Sequence, residues 1–326
     1  MKTTVMAPSN IAFIKYWGKK DDRLRLPTNG SVSVNLSNLS TTTTVEFVRH
    51  LRTDQIEVNG VAVDDMNSRI GKHLDRIRQL SKTDLRAKVV SKNNFPTASG
   101  LASSASGFAA LTLAAVKSIG LDLSERQISS LARQGSGSAC RSIPDGFVEW
   151  REGNDDSSSY AESIFPAGHW DLSIVVCLFS DSPKKTLTTA GQNLAFTSPF
   201  FLTRLKKIND KIFAIKKLIE KRSFDEFGQL IEHEALELHA IMLTSTPPLI
   251  YWSPETVKLM KLIQELREDK GVPVYFTIDA GAHMHLICET GSLKKVISFL
   301  GRQDFIKQTI INKPFSGARV INQHLF

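Results

Sequence analysis

Between residues 31 and 36 the chain alternates, with Val32, Val34 and Leu36 on one side and Ser31, Ser33 and Asn35 on the other. A period of two predicts a half-buried strand. The tripeptide Thr28-Asn29-Gly30 ahead of it is a turn signal. Residues 41–48 are rich in β-branched side chains, which predicts a second strand. A hairpin is predicted over 55–63, with Asn59-Gly60 as its tight turn. The spacing then becomes helical over 65–80, through Ile70, Leu74, Ile77 and Leu80. Residues 86–91 predict one more strand. Ser124 and Gln127 form the S-x-x-Q pattern of a capping box, and Gly135 is placed to end that helix in the left-handed conformation. Residues 147–150 and 171–179 predict strands, the second buried. Helices are predicted over 199–222, 224–243, 254–267 and 292–300. Strands are predicted over 272–278 and 284–288. Strands dominate before about residue 190 and helices after it. We therefore expect an N-terminal domain over 1–190 and a C-terminal domain over 191–326, an α+β chain.

The totals narrow the classes. A chain of 326 residues that is 41% hydrophobic and 23% charged suits a soluble globular protein with a real core. It contains no run of eighteen apolar residues, so no membrane span is expected. The N-terminus, MKTTVMAPSN, has no hydrophobic signal core. Cys140, Cys177 and Cys288 lie far apart and without metal spacing, which fits a reducing cytoplasm. The formal charge of +8 is compatible with nucleic acid or with an anionic small substrate. The basic pairs Lys184-Lys185, Lys206-Lys207 and Lys216-Lys217 are scattered without interleaved aromatics, which speaks against nucleic acid.

Four stretches carry candidate chemistry. In NNFPTASGLASSASGFAAL, Gly100 lets the backbone approach a ligand, and Ser99, Ser103, Ser104 and Ser106 add hydroxyls. A helix expected to begin near Leu101 would turn its unpaired N–H groups and positive dipole end to an anion, a phosphate cradle. Small residues there would equally let a helix pack close to a sheet. No G-x-x-x-x-G-K-[ST] is present, so this is not a Walker motif. In PSNIAFIKYWGKK, Lys15, Tyr16, Trp17 and Lys19 bunch around Gly18. Two ammonium groups beside a phenol can grip a polyanion, although a strand end with snorkelling lysines looks the same. In GSGSACRSIPDGFVEW, Arg141 follows two glycines and two of its three neighbouring serines, either an anion grip or a glycine-serine turn. Asp279 stands at a predicted strand end before Ala280-Gly281, a common position for catalytic groups.

Taken together, NIAFIKYWGK, NFPTASGLASSASGFAAL, GSGSACRS with FVEW after it, and TIDAG resemble the GHMP kinase superfamily, and within it the diphosphomevalonate decarboxylase family. The resemblance spans nearly the whole chain. It implies an N-terminal ribosomal-protein-like α/β domain, a C-terminal ferredoxin-like α+β domain, and a site in the cleft between them. It implies ATP with Mg2+, the small-molecule substrate (R)-5-diphosphomevalonate, and a homodimer. The family phosphorylates the tertiary 3-hydroxyl; loss of phosphate and CO2 then gives isopentenyl diphosphate.

By position the resemblance makes Asp279 the catalytic aspartate, with Lys15 balancing it. Arg141 would grip substrate anions within Ser136, Gly137, Ser138, Ala139 and Cys140. Tyr16, Trp17, Gly18 and Lys19 match the substrate-contact segment, and Asn10, Arg69 and Thr189 are further substrate residues. Ser99, Gly100, Leu101, Ala102, Ser103, Ser104 and Ser106 would hold the ATP phosphates. No side-chain metal ligands are assigned. Two departures stand out: Ala282 and His283 follow DAG where the family shows Pro-Asn, and Ile143-Pro144-Asp145 follows Arg141-Ser142 where it often has an aromatic and Gly. Alternative outcomes are a monophosphate decarboxylase or a mevalonate 3-kinase of this fold, and, from another class, a non-catalytic RNA-binding module.

Overall fold

The computed structural model describes residues 1–64, 68–95, 103–179 and 191–326. The first part of the chain runs β1 (Thr3–Ile14), β2 (Lys19–Asp21), β3 (Leu26–Pro27), β4 (Ser31–Val48), β5 (Gln55–Val58), β6 (Val61–Val63), α1 (Arg69–Ser81), β7 (Arg86–Asn93), α2 (Ser103–Ser118), α3 (Glu125–Gly135), β8 (Phe147–Trp150) and β9 (Ala161–Phe165). It continues through β10 (Leu172–Leu178), α4 (Phe201–Lys221), α5 (Phe224–Leu243), α6 (Pro254–Lys270), β11 (Tyr275–Thr277), β12 (Met284–Glu289), α7 (Leu293–Leu300), β13 (Gln308–Asn312) and β14 (Arg319–Ile321).

One sheet is ordered β14-β1-β4-β7-β5-β6, with β8 alongside β4 and β9 beyond β8; the other is ordered β11-β12-β10-β13. The two runs expected at 31–36 and 41–48 are one continuous strand, β4. Both halves pair with β1, through Asn10↔Asn35 on one side and Pro8↔Ser40 on the other, with a register shift between Pro8 and Asn10. Pro8 has no N–H to give the ladder, so an irregularity there is the natural outcome. The Asn59-Gly60 turn forms as expected, with φ of 51° and 81°, the positive pair that a type I′ hairpin needs. Helix α1 is capped by Ser68, whose Oγ accepts from Gly71 N at 3.0 Å. The capping box of α3 is also present: Ser124 N donates to Gln127 Oε1 at 2.9 Å, and Gln127 N to Ser124 Oγ at 3.4 Å.

Two expectations need correction. Gly135 does not end α3 in the left-handed conformation; it is the helix's last residue, and the cap, Ser136, is extended. Glycine is needed there because a Cβ would sit 2.3 Å from the Phe108 ring. The strand expected over 272–278 is only β11, three residues long. β10, before the composition shift near residue 190, pairs with β12 and β13. The chain then returns: β14 adds to the first sheet through Val5↔Val320.

The two sheets share a core. Ile11, Phe13 and Val34 of the first cluster with Ile174, Val176 and Phe276 of the second and with Phe227 of α5. A separate cluster sits under α1, α2 and α3, where Ala109, Ala110 and Ala114 are fully buried. The small residues of α2 therefore do serve close helix-sheet packing. Among the described residues, no helix is long and apolar enough to cross a membrane.

Candidate active site

β1 of the first sheet and β11 of the second end side by side, and their following residues meet. Lys15, one residue past β1, is 1% exposed. Its Nζ donates to Asp279 Oδ1 at 2.7 Å and to the Ala12 carbonyl at 2.7 Å. Asp279 lies two residues past β11, and its side chain keeps 31% of its surface exposed. His239 Nε2 donates to the Asp279 carbonyl at 2.8 Å, so α5 fixes the backbone that carries the carboxylate.

The backbone at Lys15 is held as firmly as the side chain. Lys15 N donates to Glu234 Oε1 at 3.0 Å, and its carbonyl accepts from Asn29 Nδ2 and Arg204 Nη2, each at 2.9 Å. Glu234 is completely buried and is paired with Arg204 and Lys211.

Arg141 enters from a short 3-10 segment, Gly137–Ser142. It is 3% exposed. Nε donates to Asn10 Oδ1 at 3.2 Å and Nη1 to Ser31 Oγ at 2.8 Å. Asn10 is itself fixed by donating to Ser142 Oγ at 2.8 Å and to the Ser138 carbonyl at 3.2 Å. Among the described residues Arg141 makes no ion pair.

These charges act on one another. Burial would raise the Asp279 carboxyl's pKa, but Lys15, with smaller contributions from His285 and Arg141, more than offsets it and holds the group below its ordinary value. The Lys15 ammonium is pushed down by burial, against the pull of Asp279 and Glu234. Burial also lowers Arg141, partly opposed by Cys140 and Asp279. Two buried cations flanking one carboxylate held low leave net positive charge at this junction, an arrangement that favours an anion.

The remaining expected residues divide into those that face this junction and those that support it. Tyr16 packs edge-on to Trp150 with centroids 4.6 Å apart, and its hydroxyl donates to Gln192 Oε1 at 3.0 Å. Burial raises its pKa. Gly137 lies close beside it, where a Cβ would stand 3.0 Å from the Tyr16 ring. Ser136 Oγ donates to Ser104 Oγ at 3.2 Å, which ties the 3-10 segment to the first turn of α2. Gly18 has φ +89° and no room for a Cβ, which would sit 2.7 Å from Phe201. Lys19 is ion-paired with Asp22. Arg69 Nη2 donates to the Gly135 carbonyl at 2.8 Å.

Several side chains point elsewhere. Trp17 is 2% exposed and packs with Phe201, Leu238 and Ile241. Ala139 belongs to the core under α2, and Cys140 packs with Val148, Trp150 and Ala161. The Cys140 thiol is pushed up to about 12 by burial. These three side chains build the walls of the site from behind. Ser106 is fully buried, bonded to Thr41 Oγ1 at 2.7 Å. Its hydroxyl belongs to the β1–β4–α2 packing and is not turned to a phosphate. Ser103 and Ser104 are half-buried at the start of α2. Ser99, Gly100, Leu101, Ala102 and Thr189 lie outside the described residues.

The two departures settle into structural roles. Asp145 Oδ1 accepts from Gly317 N at 2.5 Å on the exposed side of its turn, so it ties the C-terminal chain to the first domain. His283 precedes β12, and its Nδ1 accepts from Phe179 N at 3.2 Å. His285 lies on β12 opposite Thr277. Burial drives its pKa down to about 4, leaving it neutral near the Asp279 carboxylate.

Glu234 and Arg204 were not among the expected site residues, yet they hold the Lys15 backbone. A signal existed. Arg204 falls on the buried stripe Phe201-Ile208-Ile212 of α4, and Glu234 on the buried stripe Ile231-Ala235-Leu238 of α5. A charge on each of two facing apolar stripes is costly unless the charges pair.

Comparison with known proteins agrees with this geometry. A family model for the diphosphomevalonate decarboxylase-like N-terminal domain matches residues 7–161, and one for the mevalonate 5-diphosphate decarboxylase C-terminal domain matches 174–324. The interval between them coincides with the change of sheet before β10. The Candida albicans diphosphomevalonate decarboxylase is 38% identical over 315 residues, 91% of this chain and 87% of its own. The solved mevalonate diphosphate decarboxylase of Staphylococcus aureus superposes with a TM-score of 0.93 at 38% identity, covering 98% of each chain. A solved complex of MDDEF with MVAPP, AMPPCP and magnesium also gives a TM-score of 0.93, at 36% identity over 99% of each chain.

Proposed function

The chain belongs to the diphosphomevalonate decarboxylase family, and on that premise we propose that it converts ATP and (R)-5-diphosphomevalonate into ADP, phosphate, CO2 and isopentenyl diphosphate, a step of isoprenoid synthesis. The observation that carries this reading is the 2.7 Å Lys15–Asp279 pair beside a buried Arg141 whose acceptors among the described residues are neutral.

Each group has a role that its surroundings support. The 3-hydroxyl of the substrate is a tertiary alcohol and a weak nucleophile. Asp279, ionised and partly open to the cleft, accepts its hydrogen bond. With its pKa held low by Lys15, Asp279 is a poor base toward a resting alcohol. It therefore orients the hydroxyl and takes the proton as the new O–P bond forms, as a loose phosphoryl-transfer transition state requires. Lys15 fixes the carboxylate and offsets charge on the transferring phosphoryl group. The 3-phosphate then leaves with the C3–O electron pair. The substrate carboxylate releases CO2, and the electrons of that broken bond form the new double bond at C3. Arg141 grips the substrate anions during this sequence.

ATP is the phosphoryl donor, and Ser103, Ser104 and Ser136 present hydroxyls where the first turn of α2 meets the 3-10 segment. These hard oxygen donors suit Mg2+, which supplies charge neutralisation on the phosphates. Ser99, Gly100, Leu101, Ala102 and Thr189, outside the described residues, complete the proposed ligand set. We further infer a homodimer, a reading supported by the resemblance, in the cytoplasm, where three buried cysteines without disulfides fit.

The test is an assay of ADP and CO2 with mevalonate, its 5-phosphate and its 5-diphosphate. Both products at equal rates with the 5-diphosphate alone are expected. ADP without CO2 would instead mark a 3-kinase, and turnover confined to the 5-phosphate a monophosphate decarboxylase.

A further inference from the structure

Some arginines of this chain have a carboxylate partner and some do not. Arg78, Arg133, Arg204 and Arg267 each pair with a carboxylate. Arg23, Arg25, Arg69 and Arg76 do not; among the described residues, none of the four has a carboxylate at ion-pair distance. They nevertheless lie together. Arg69 is pushed down to about 10 by burial and then by Arg25, and Arg76 is lowered by burial, Arg25 and Arg23. His73 on α1 is driven down to about 3 by burial and by Arg76, Arg69 and Arg25, so it adds no charge of either sign.

Two of the four are anchored at one place. Arg25 Nε donates to the Gln134 carbonyl at 3.1 Å, and Arg69 Nη2 to the Gly135 carbonyl at 2.8 Å. These are consecutive acceptors in the last turn of α3, directly before Ser136. Each arginine spends one donor on its anchor and keeps others. Arg25 is also the charged group that acts most strongly on the Tyr16 phenol. Lys19, in contrast, already has Asp22 as its partner. Besides Arg141, the cation acting on Tyr16 that has no carboxylate at ion-pair distance among the described residues is Arg25, presented by the turn between β2 and β3.

We propose that Arg25 is a binding residue for the 5-diphosphate end of the substrate, clamping it together with Arg69 from the end of α3. The ligand chemistry is a pyrophosphate monoester, whose spread of charge suits two fixed guanidinium forks. This rests on the decarboxylase reading, and the test separates the two. Arg25→Gln keeps a donor for the Gln134 carbonyl; Arg25→Lys keeps the charge. For the full-length protein, the readouts are KM for (R)-5-diphosphomevalonate, KM for ATP, kcat, and the affinity for inorganic pyrophosphate by calorimetry.

Arg25→Gln is expected to raise the diphosphomevalonate KM about tenfold and to weaken pyrophosphate about tenfold, the loss expected for one charge-assisted contact. Its kcat and ATP KM should stay within about twofold, and Arg25→Lys should recover part of the loss. Unchanged pyrophosphate affinity in Arg25→Gln would overturn the proposal. So would a parallel loss of ATP affinity and thermal stability, which would mark Arg25 as a strut for α3. Wild-type protein that binds pyrophosphate through Arg25 but does not turn over diphosphomevalonate would sink the enzyme reading and leave the anion site standing.

Discussion

Arg204 and Arg141 are both sealed inside the protein, at 1% and 3% exposure, but their surroundings are opposites. Arg204 meets Glu234 through both terminal nitrogens, and Lys211 adds a second cation to the same carboxylate. Among the described residues Arg141 hydrogen-bonds the amide of Asn10 and the hydroxyl of Ser31, lies over the Trp150 ring and meets no carboxylate at ion-pair distance. A buried charge without a counter-charge is destabilising unless something else supplies one. The first arginine has its counter-ion within the chain and serves to hold the Lys15 backbone. The second has no carboxylate at ion-pair distance among the described residues, the arrangement that the proposed grip on substrate anions requires. The difference separates scaffold from receptor within a few residues of the same lysine.

The comparison can be broken by exchanging outcomes. Arg141→Gln should lower kcat/KM for diphosphomevalonate by about a thousandfold. It should leave the unfolding midpoint in denaturant unchanged or higher, since no carboxylate loses its partner. A stability loss as large as that at Arg204 would erase the distinction. Arg204→Met should cost about 3 kcal/mol of stability in the same titration, because Glu234 is left buried with Lys211 alone.

The scaffold side can then be sharpened. Arg204→Met combined with Glu234→Gln should cost less than Arg204→Met alone, about 1–2 kcal/mol, since the amide still accepts from Lys15 N and no charge is stranded. The smallest effect concerns pH. Burial would raise the Glu234 pKa, but Arg204, Lys211 and the Lys15 N–H outweigh it and hold it below 4.5. A carboxyl with a depressed folded-state pKa stabilises the protein above its unfolded value and loses that contribution as pH falls through the folded one. Wild-type stability should therefore fall below pH 4.5 more steeply than that of Glu234→Gln, measured by denaturation between pH 3 and 6.

Legibility in the sequence followed the range of the interaction. The capping box of Ser124 and the Asn59-Gly60 turn are local, and both formed as read. The alternation at 31–36 located a strand but not its length, since β4 is prolonged by pairing with β1 and β7. β14 carried no readable sign, because a strand of three residues depends on the edge that receives it. At the site, Lys15, Arg141 and Asp279 were legible through motif resemblance, and the structure brings them together. The walls were less so: Trp17, Ala139 and Cys140 sit within the motifs but face the core. Glu234 and Arg204 lie outside any motif, and only their place on apolar stripes marks them.

In the proposed reaction Asp279 acts on the alcohol while its neighbours hold the anions. Replacing it with Asn tests this most directly, with diphosphomevalonate binding followed by calorimetry and turnover by ADP release. We predict binding within about threefold of wild type or tighter, since a negative charge leaves an anion pocket, and turnover reduced by about a thousandfold or more. Turnover within tenfold of wild type in a variant that still binds would contradict the assignment.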